Sequence, residues 1–247
     1  MEQRTGTMPS TAVLLFPGYP GVLRLREEGG QPRYELAGNF LVRARRHLAD
    51  EDIFTVMVDC PLDRWSSCND AYRTSATHAA DVSDVIGLVK REFGARQVYV
   101  AGTSYGTLSS AMLARALGGT IDGAIHTATF TDPGADGHGA ALRDFDWSEA
   151  RVPQLFVHHK EDPCALTRYA GIAARRGELP LISVTGAAGV RGQACEAFTQ
   201  HGFVGRERVV MRAIADWVKD RRVTSPVGVE CPAAGALSSC RSDQAAE

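Results

Sequence analysis

A serine bracketed by two glycines stands where a strand pattern runs into a helix pattern. The stretch Gln97-Val-Tyr-Val-Ala-Gly-Thr-Ser-Tyr-Gly-Thr107 carries a β-branched run into Gly102-Thr-Ser104-Tyr-Gly106, and an alanine-rich helical pattern follows. In a turn that sharp, side chains at 102 and 106 would collide with neighbouring backbone. The serine between them is held in a strained conformation that lifts its Oγ clear of the sheet. A serine hydroxyl is a poor nucleophile until a base takes its proton. The chemistry therefore requires a histidine, and an acid to orient it.

Candidates for both follow in the chain. The strand pattern Gln154–Val157 runs into His158-His-Lys-Glu-Asp162-Pro. A carboxylate just past the end of a parallel strand lies on the same rim as the serine turn. Asp162 is the preferred acid because Asp-Pro ends the strand and turns the chain. Glu161 and Asp132 are the other carboxylates in reach of that rim. His201, in Gln200-His201-Gly-Phe203, lies in a loop directly before the last helix and is the preferred base. His47 and His78 precede the serine on predicted helices, and His126 and His138 precede the acid. His158 and His159, at the strand end, shape the site but are poorly placed to reach Ser104. A histidine before a helix often serves only as a cap, but here it completes an ordered set of Ser, Asp and His. Stabilising a developing oxyanion takes two backbone N–H groups. Tyr105, directly after the serine, supplies one. Tyr19, in Phe16-Pro-Gly-Tyr-Pro-Gly21, supplies the other, since Pro17 and Pro20 have no N–H.

Taken together, Phe16–Gly21, Gly102–Gly106, His158–Pro163 and His201–Phe203 resemble the motifs of single-domain bacterial α/β-hydrolases of the esterase and lysophospholipase-like group. The resemblance runs from Thr11 to Lys219. It implies a Ser104–Asp162–His201 triad cleaving carboxylic ester or thioester bonds through a covalent acyl-enzyme, with no cofactor and no metal. An acyltransferase using the same groups and a catalytically silent binding module of the same fold are the alternatives. Tyr19 departs from the pattern, because many members have a small residue there. The segment between Ser104 and Asp162 is too short for a large cap domain.

The elements that must position these residues alternate along the chain. Strands are expected at Thr11–Phe16, Phe54–Val58, Gln97–Ala101, Ile121–Phe130, Gln154–His158 and Leu181–Val184. Helices are expected at Leu36–Leu48, Thr77–Phe93, Leu108–Leu117 and Arg206–Lys219. The implied fold class is α/β: a mostly parallel sheet of about six strands flanked by helices, in one hydrolase domain over 1–222. The Gly- and Asp-rich segment Thr131–Ala150 is expected to lie over the site. From Val223 periodicity vanishes, and 223–247 reads as a disordered tail.

Composition narrows the partners. Over 247 residues, 44% hydrophobic content suffices for a buried core, and a net charge of −2 gives nucleic acid no basic surface. Gly18-Tyr-Pro-Gly21 lacks the glycine spacing of a dinucleotide site. No apolar run approaches the roughly 18 residues of a membrane span, and no basic-then-apolar leader opens the sequence. The expected partner is a small-molecule ester. Arg24, Arg26, Arg64 and Arg73 read as solvated loop charges, with binding of a substrate carboxylate or phosphate as the alternative. The six cysteines lack paired Cys-x-x-Cys spacing. Reduced thiols in the cytoplasm are the plain expectation. If the acid and base loops converge, however, Cys164 and Cys195 meet, and the bond implies a periplasmic or secreted protein.

Overall fold

Four strands of this chain are buried almost end to end, as only the middle of a sheet covered on both faces requires. The computed structural model describes residues 9–228. Its elements run β1 (Thr11–Phe16), β2 (Arg26–Glu28), β3 (Gln31–Arg33), α1 (Phe40–Ala44), β4 (Ile53–Met57), α2 (Asp70–Arg73) and α3 (Ala76–Phe93). There follow β5 (Gln97–Thr103), α4 (Thr107–Ala116), β6 (Gly123–Thr127), β7 (Gln154–His159), α5 (Tyr169–Arg175), β8 (Leu181–Val184) and α6 (Glu207–Asp220). Six strands form one sheet in the order β4-β1-β5-β6-β7-β8. Every neighbouring pair is parallel, with registers such as Leu15↔Ala101 and His126↔Phe156.

The period of two along β1 divides the core. Val13 and Leu15 pack with Phe40 and Leu41 of α1 and with Val210, Ile214 and Trp217 of α6. Ala12, Leu14 and Phe16 pack with Val82, Ile86 and Val89 of α3 and with Leu113 of α4. Helices thus cover both faces. The chain leaves β1 toward β4 and returns on the other side of β1 as β5, so the winding direction reverses between β1 and β5. A crevice opens at the carboxyl ends of strands at such a reversal, and the loop after β1 and the serine turn after β5 both lie there.

All six expected strands are present. The fourth expected span differs most: Ile121–Phe130 contracts to Gly123–Thr127. Asp122 is held in a turn, its carboxylate accepting from the Val98 N–H at 2.8 Å, and Ala128 ends the strand at φ 45°. The helix expected over Leu36–Leu48 is likewise shorter, with α1 passing into a 3₁₀ turn at Arg45–His47. The exposed hairpin β2–β3 and helices α2 and α5 have no counterpart in the periodicity. Ser225 and Val227, inside the segment expected as tail, lie along β8: the Val227 N–H donates to the Ser183 carbonyl at 2.9 Å. Residues 229–247, with Cys231 and Cys240, lie outside the described residues. Among the described residues no helix is long and apolar enough to cross a membrane.

Candidate active site

The turn at Ser104 is made by backbone contact. Ser104 has φ 51°, a left-handed conformation that costs a non-glycine residue energy. A Cβ on Gly106 would stand 2.1 Å from the Phe16 carbonyl oxygen, and one on Gly102 would stand 2.3 Å from the Gly106 carbonyl oxygen. Both glycines are therefore obligatory, because strand and helix approach more closely than any side chain allows. The loop after β1 closes in from the other side. A Cβ on Gly18 would lie 3.2 Å from both the Ser104 Cβ and Asn39 Nδ2. The Asp59 carboxylate holds that loop, accepting from the backbone N–H groups of Leu23 (2.7 Å) and Leu25 (2.8 Å). Tyr19 and Tyr105 meet edge to face at 5.8 Å, so the two residues expected to supply oxyanion donors are neighbours at the serine. As the second residue of the short helical turn after β5, Tyr105 carries an N–H with no helical acceptor.

The acid and base are brought together from 39 residues apart. His201 Nδ1 lies 3.1 Å from Asp162 Oδ2, and both side chains are almost wholly buried. Thr167 Oγ1 donates to the same carboxylate oxygen at 2.8 Å and lies 3.0 Å from His201 Nδ1. The other oxygen, Asp162 Oδ1, accepts from the Cys164 N–H at 2.9 Å. This carboxylate is thus fully engaged, and Nδ1 of His201 is committed to it. Such a bond fixes the tautomer that leaves Nε2 to act as a base. The turn carrying His201 is itself pinned. Thr199 Oγ1 accepts the His201 N–H at 3.1 Å, and Arg43, paired with Glu207 at 2.9 Å, donates to the Gly202 carbonyl at 2.6 Å. The Ser104 hydroxyl makes no hydrogen bond among the described residues. In sites without substrate this contact is often long and tightens only with substrate.

The alternative acids lie elsewhere. Glu161 is exposed and reaches His159 Nδ1 at 3.1 Å, while Asp132 accepts from Thr131 Oγ1 at 3.0 Å. His159 is tied by Nε2 to the Gly186 carbonyl at 2.8 Å, and His158 accepts the Thr129 N–H at 2.8 Å. Burial lowers the pKa of His158 to about 3, so it is a neutral structural acceptor. The irregular segment after β6 reaches the serine side: the ring of His138 lies within 6 Å of Tyr19, Tyr105 and Phe130. Burial, and then the hydrogen bond to Asp70 at 2.7 Å, raise the pKa of the Tyr105 phenol.

Two expectations require correction. Arg73 is not a solvated loop charge but 1% exposed, its guanidinium 5.0 Å from the Tyr105 ring centre. Against the expectation of reduced thiols, Cys164–Cys195 and Cys60–Cys68 are both bonded pairs. The first joins the acid loop to the base loop. The second lies under the loop after β1, and the sequence pattern singles out neither it nor Thr167, Asn39 and Arg43. Thr167 follows Asp162 by five residues, a spacing that carries no recognisable signal. Among the described residues no group of three or more His, Cys, Asp or Glu could hold a metal ion.

No protein-family model matches the sequence, and no curated protein matches it. Solved structures do. The esterase Est1E from Butyrivibrio proteoclasticus is 14% identical, with a TM-score of 0.54 over 90% of this chain and 91% of that one. XC6422 from Xanthomonas campestris, described as an α/β serine hydrolase without a lid, is 17% identical, with a TM-score of 0.52 over 92% and 88%. A cold-adapted esterase from an Arctic intertidal metagenomic library is 16% identical, with a TM-score of 0.57 over 89% and 85%. At this level of identity the likeness establishes the architecture: an α/β-hydrolase fold, with no large cap domain among the described residues.

Proposed function

We propose that this protein is a serine hydrolase that cleaves carboxylic ester or thioester bonds through a Ser104–Asp162–His201 triad. The observation that carries the reading is the buried 3.1 Å His201–Asp162 bond, on the same strand-end rim as a serine held at φ 51°. In this reading His201 Nε2 removes the Ser104 proton as Oγ attacks the carbonyl carbon. The backbone N–H groups of Tyr19 and Tyr105 receive the oxyanion. His201 then returns the proton to the leaving alkoxide or thiolate, and a water activated by the same nitrogen releases the acid from Ser104. Asp162 holds the imidazole in place, and the Thr167 hydroxyl and the Cys164 N–H complete its hydrogen bonds. The rings of Tyr19, Tyr105, Phe130 and His138 surround the serine side, which supports a substrate with an apolar or aromatic group beside the reacting carbonyl. The two bonded cysteine pairs support an oxidising compartment over the cytoplasm.

The test is hydrolysis of a p-nitrophenyl ester series by wild type, Ser104→Ala and His201→Ala. Each variant is expected to lose about 10⁴-fold or more in kcat. A fluorophosphonate should label wild type and leave Ser104→Ala unlabelled. Labelling that survives Ser104→Ala removes the proposed nucleophile. Folded wild type that neither turns over nor labels would favour a binding role for the fold.

A further inference from the structure

Arg73 is the largest fully buried side chain among the described residues, and no carboxylate of those residues is in contact with it. Among the described residues its guanidinium donates only to neutral groups: Ser109 Oγ (2.7 Å), the Gly21 carbonyl (3.0 Å), Cys68 Sγ (3.2 Å) and Cys60 Sγ (3.9 Å). Its Nε has no partner. A buried cation without a counter-charge is costly, and something must offset it. Asp70, the acid on its own helix, favours the charged guanidinium from a distance, but its carboxylate is held by the Tyr105 hydroxyl and the Gly139 N–H, each at 2.7 Å, and not by Arg73 itself.

A cavity of about 90 Å³ borders this residue, between the start of α3 and the end of α4. That is room for several waters or for one tetrahedral oxyanion. It includes none of Ser104, Asp162 and His201. Its walls carry Arg73, Arg115 and His78 together with Thr74, Ser75 and Ala76, and no Asp or Glu. His78 is 4% exposed, and neither of its ring nitrogens has a partner among the described residues. Burial and the nearby Arg73 charge lower its pKa to about 3, so it is a neutral imidazole with one N–H to donate. The 18-residue α3 opens here. Ser75 caps it by accepting the His78 N–H at 3.2 Å, while the N–H groups of Ala76 and Thr77 have no helical acceptor. Arg115, at the rim, is half-exposed and shared with Glu149 at 3.0 Å.

We propose that this cavity is a binding site for a small oxyanion of phosphate or sulfate size. The anion sits between the Arg73 guanidinium and the amino end of α3, with His78 and Arg115 as further donors. Three independent features meet there: a buried cation with no carboxylate in contact, a buried imidazole without partners among the described residues, and the positive end of a long helix. Simple hydration satisfies the hydrogen bonds but places no counter-charge in contact with Arg73. An oxyanion supplies both. The site stands apart from the proposed hydrolytic chemistry and does not depend on it.

The test is a titration of the full-length protein with inorganic phosphate at constant ionic strength. It is followed by calorimetry and by the His78 imidazole resonances in NMR. Saturable binding that moves those resonances is expected. Arg115→Gln and His78→Phe should each weaken it about tenfold, the usual effect of losing one hydrogen bond to a charged group. Arg73→Met should abolish it. Arg115→Gln, at the exposed rim, keeps the test decisive should the Arg73 variant fail to fold. Absence of saturation in wild type, or equal affinity in wild type, Arg115→Gln and His78→Phe, overturns the proposal.

Discussion

The two halves of the candidate site are held in place by different physics. The serine half is set by main-chain contact within five residues: Gly102 and Gly106 admit a strand and a helix too close for any side chain, and Ser104 takes the strained conformation that results. Side chains contribute little to it. The acid and base half is the reverse. Asp162 and His201 are joined across 39 residues by their own hydrogen bond, by Thr167, by a disulfide and by Arg43 gripping the Gly202 carbonyl. One half is fixed by what cannot fit, the other by what must pair. A steric fixture fails abruptly when a single atom is added, whereas a bonded network fails by degrees.

The sharpest test of that contrast is Gly106→Ala. Its new Cβ would stand 2.1 Å from a main-chain oxygen of β1, a central strand with no room to retreat. A loss of about 4 kcal/mol or more is expected in urea unfolding, the range reserved for severe steric conflicts. A loss near 1 kcal/mol would show that the serine half is as adjustable as the other. Gly18→Ala supplies the control, because its Cβ contacts at 3.2 Å ask the neighbours for only a few tenths of an ångström.

Next in size is the bridge across the acid and base half. Removing Cys164–Cys195 by Cys195→Ser releases a constraint over 31 residues. The chain-entropy account assigns it about 3–4 kcal/mol. Stability should fall by that amount, and fluorophosphonate labelling of Ser104 should slow because the base is less well placed. Unchanged labelling with lowered stability would reduce the bond to a staple with no part in positioning His201.

The same contrast explains what the sequence discloses. The serine turn, both glycines and the two tyrosines beside it are local, and a stretch of strand, turn and helix residues is enough to read them. The six strands are legible for a similar reason, since buried parallel strands are continuous apolar runs. Asp162 and His201 are legible as residue types at strand ends, and Cys164 and Cys195 through their closeness to them. Thr167 and Arg43 are not, because their roles depend on a spatial neighbour that no periodicity encodes. Arg73 misleads outright. An arginine in a polar stretch reads as solvated, and only the packing of Tyr105 and Ser109 over it shows otherwise. The hairpin β2–β3 is exposed on both faces and leaves no apolar pattern at all.

Acid should loosen the network half before it touches the steric half. His158 lies on β7 beneath Asp162 and His201, and burial holds its pKa near 3, below the ordinary 6.5. The unfolded chain therefore binds the extra proton throughout that interval and the folded chain does not. Stability is full above pH 6.5 and is lost as pH falls toward 3. His126 adds to the same slope, its pKa also lowered to about 3 by burial. Protonating His158 must also break its acceptance of the Thr129 N–H. His158→Asn, which keeps an acceptor without a titrating group, should flatten the fall in stability between pH 6 and pH 4. An equally steep fall in that variant would place the acid sensitivity elsewhere.

The smallest effect tests whether the network is truly graded. Thr167→Val keeps the shape of the side chain and removes only the hydroxyl that donates to Asp162 Oδ2 and faces His201 Nδ1. The His201–Asp162 bond and the Cys164 N–H donor remain, so the carboxylate keeps two of its three partners. A fall of about tenfold in kcat/KM is expected, with about 1 kcal/mol of stability lost, the usual effect of one hydrogen bond to a charged group within a surviving network. Thr167→Ser, which restores the hydroxyl, should recover most of both. If Thr167→Val is as inactive as His201→Ala, the hydroxyl is indispensable to the pair, and the acid and base half would be as brittle as the glycine turn opposite it.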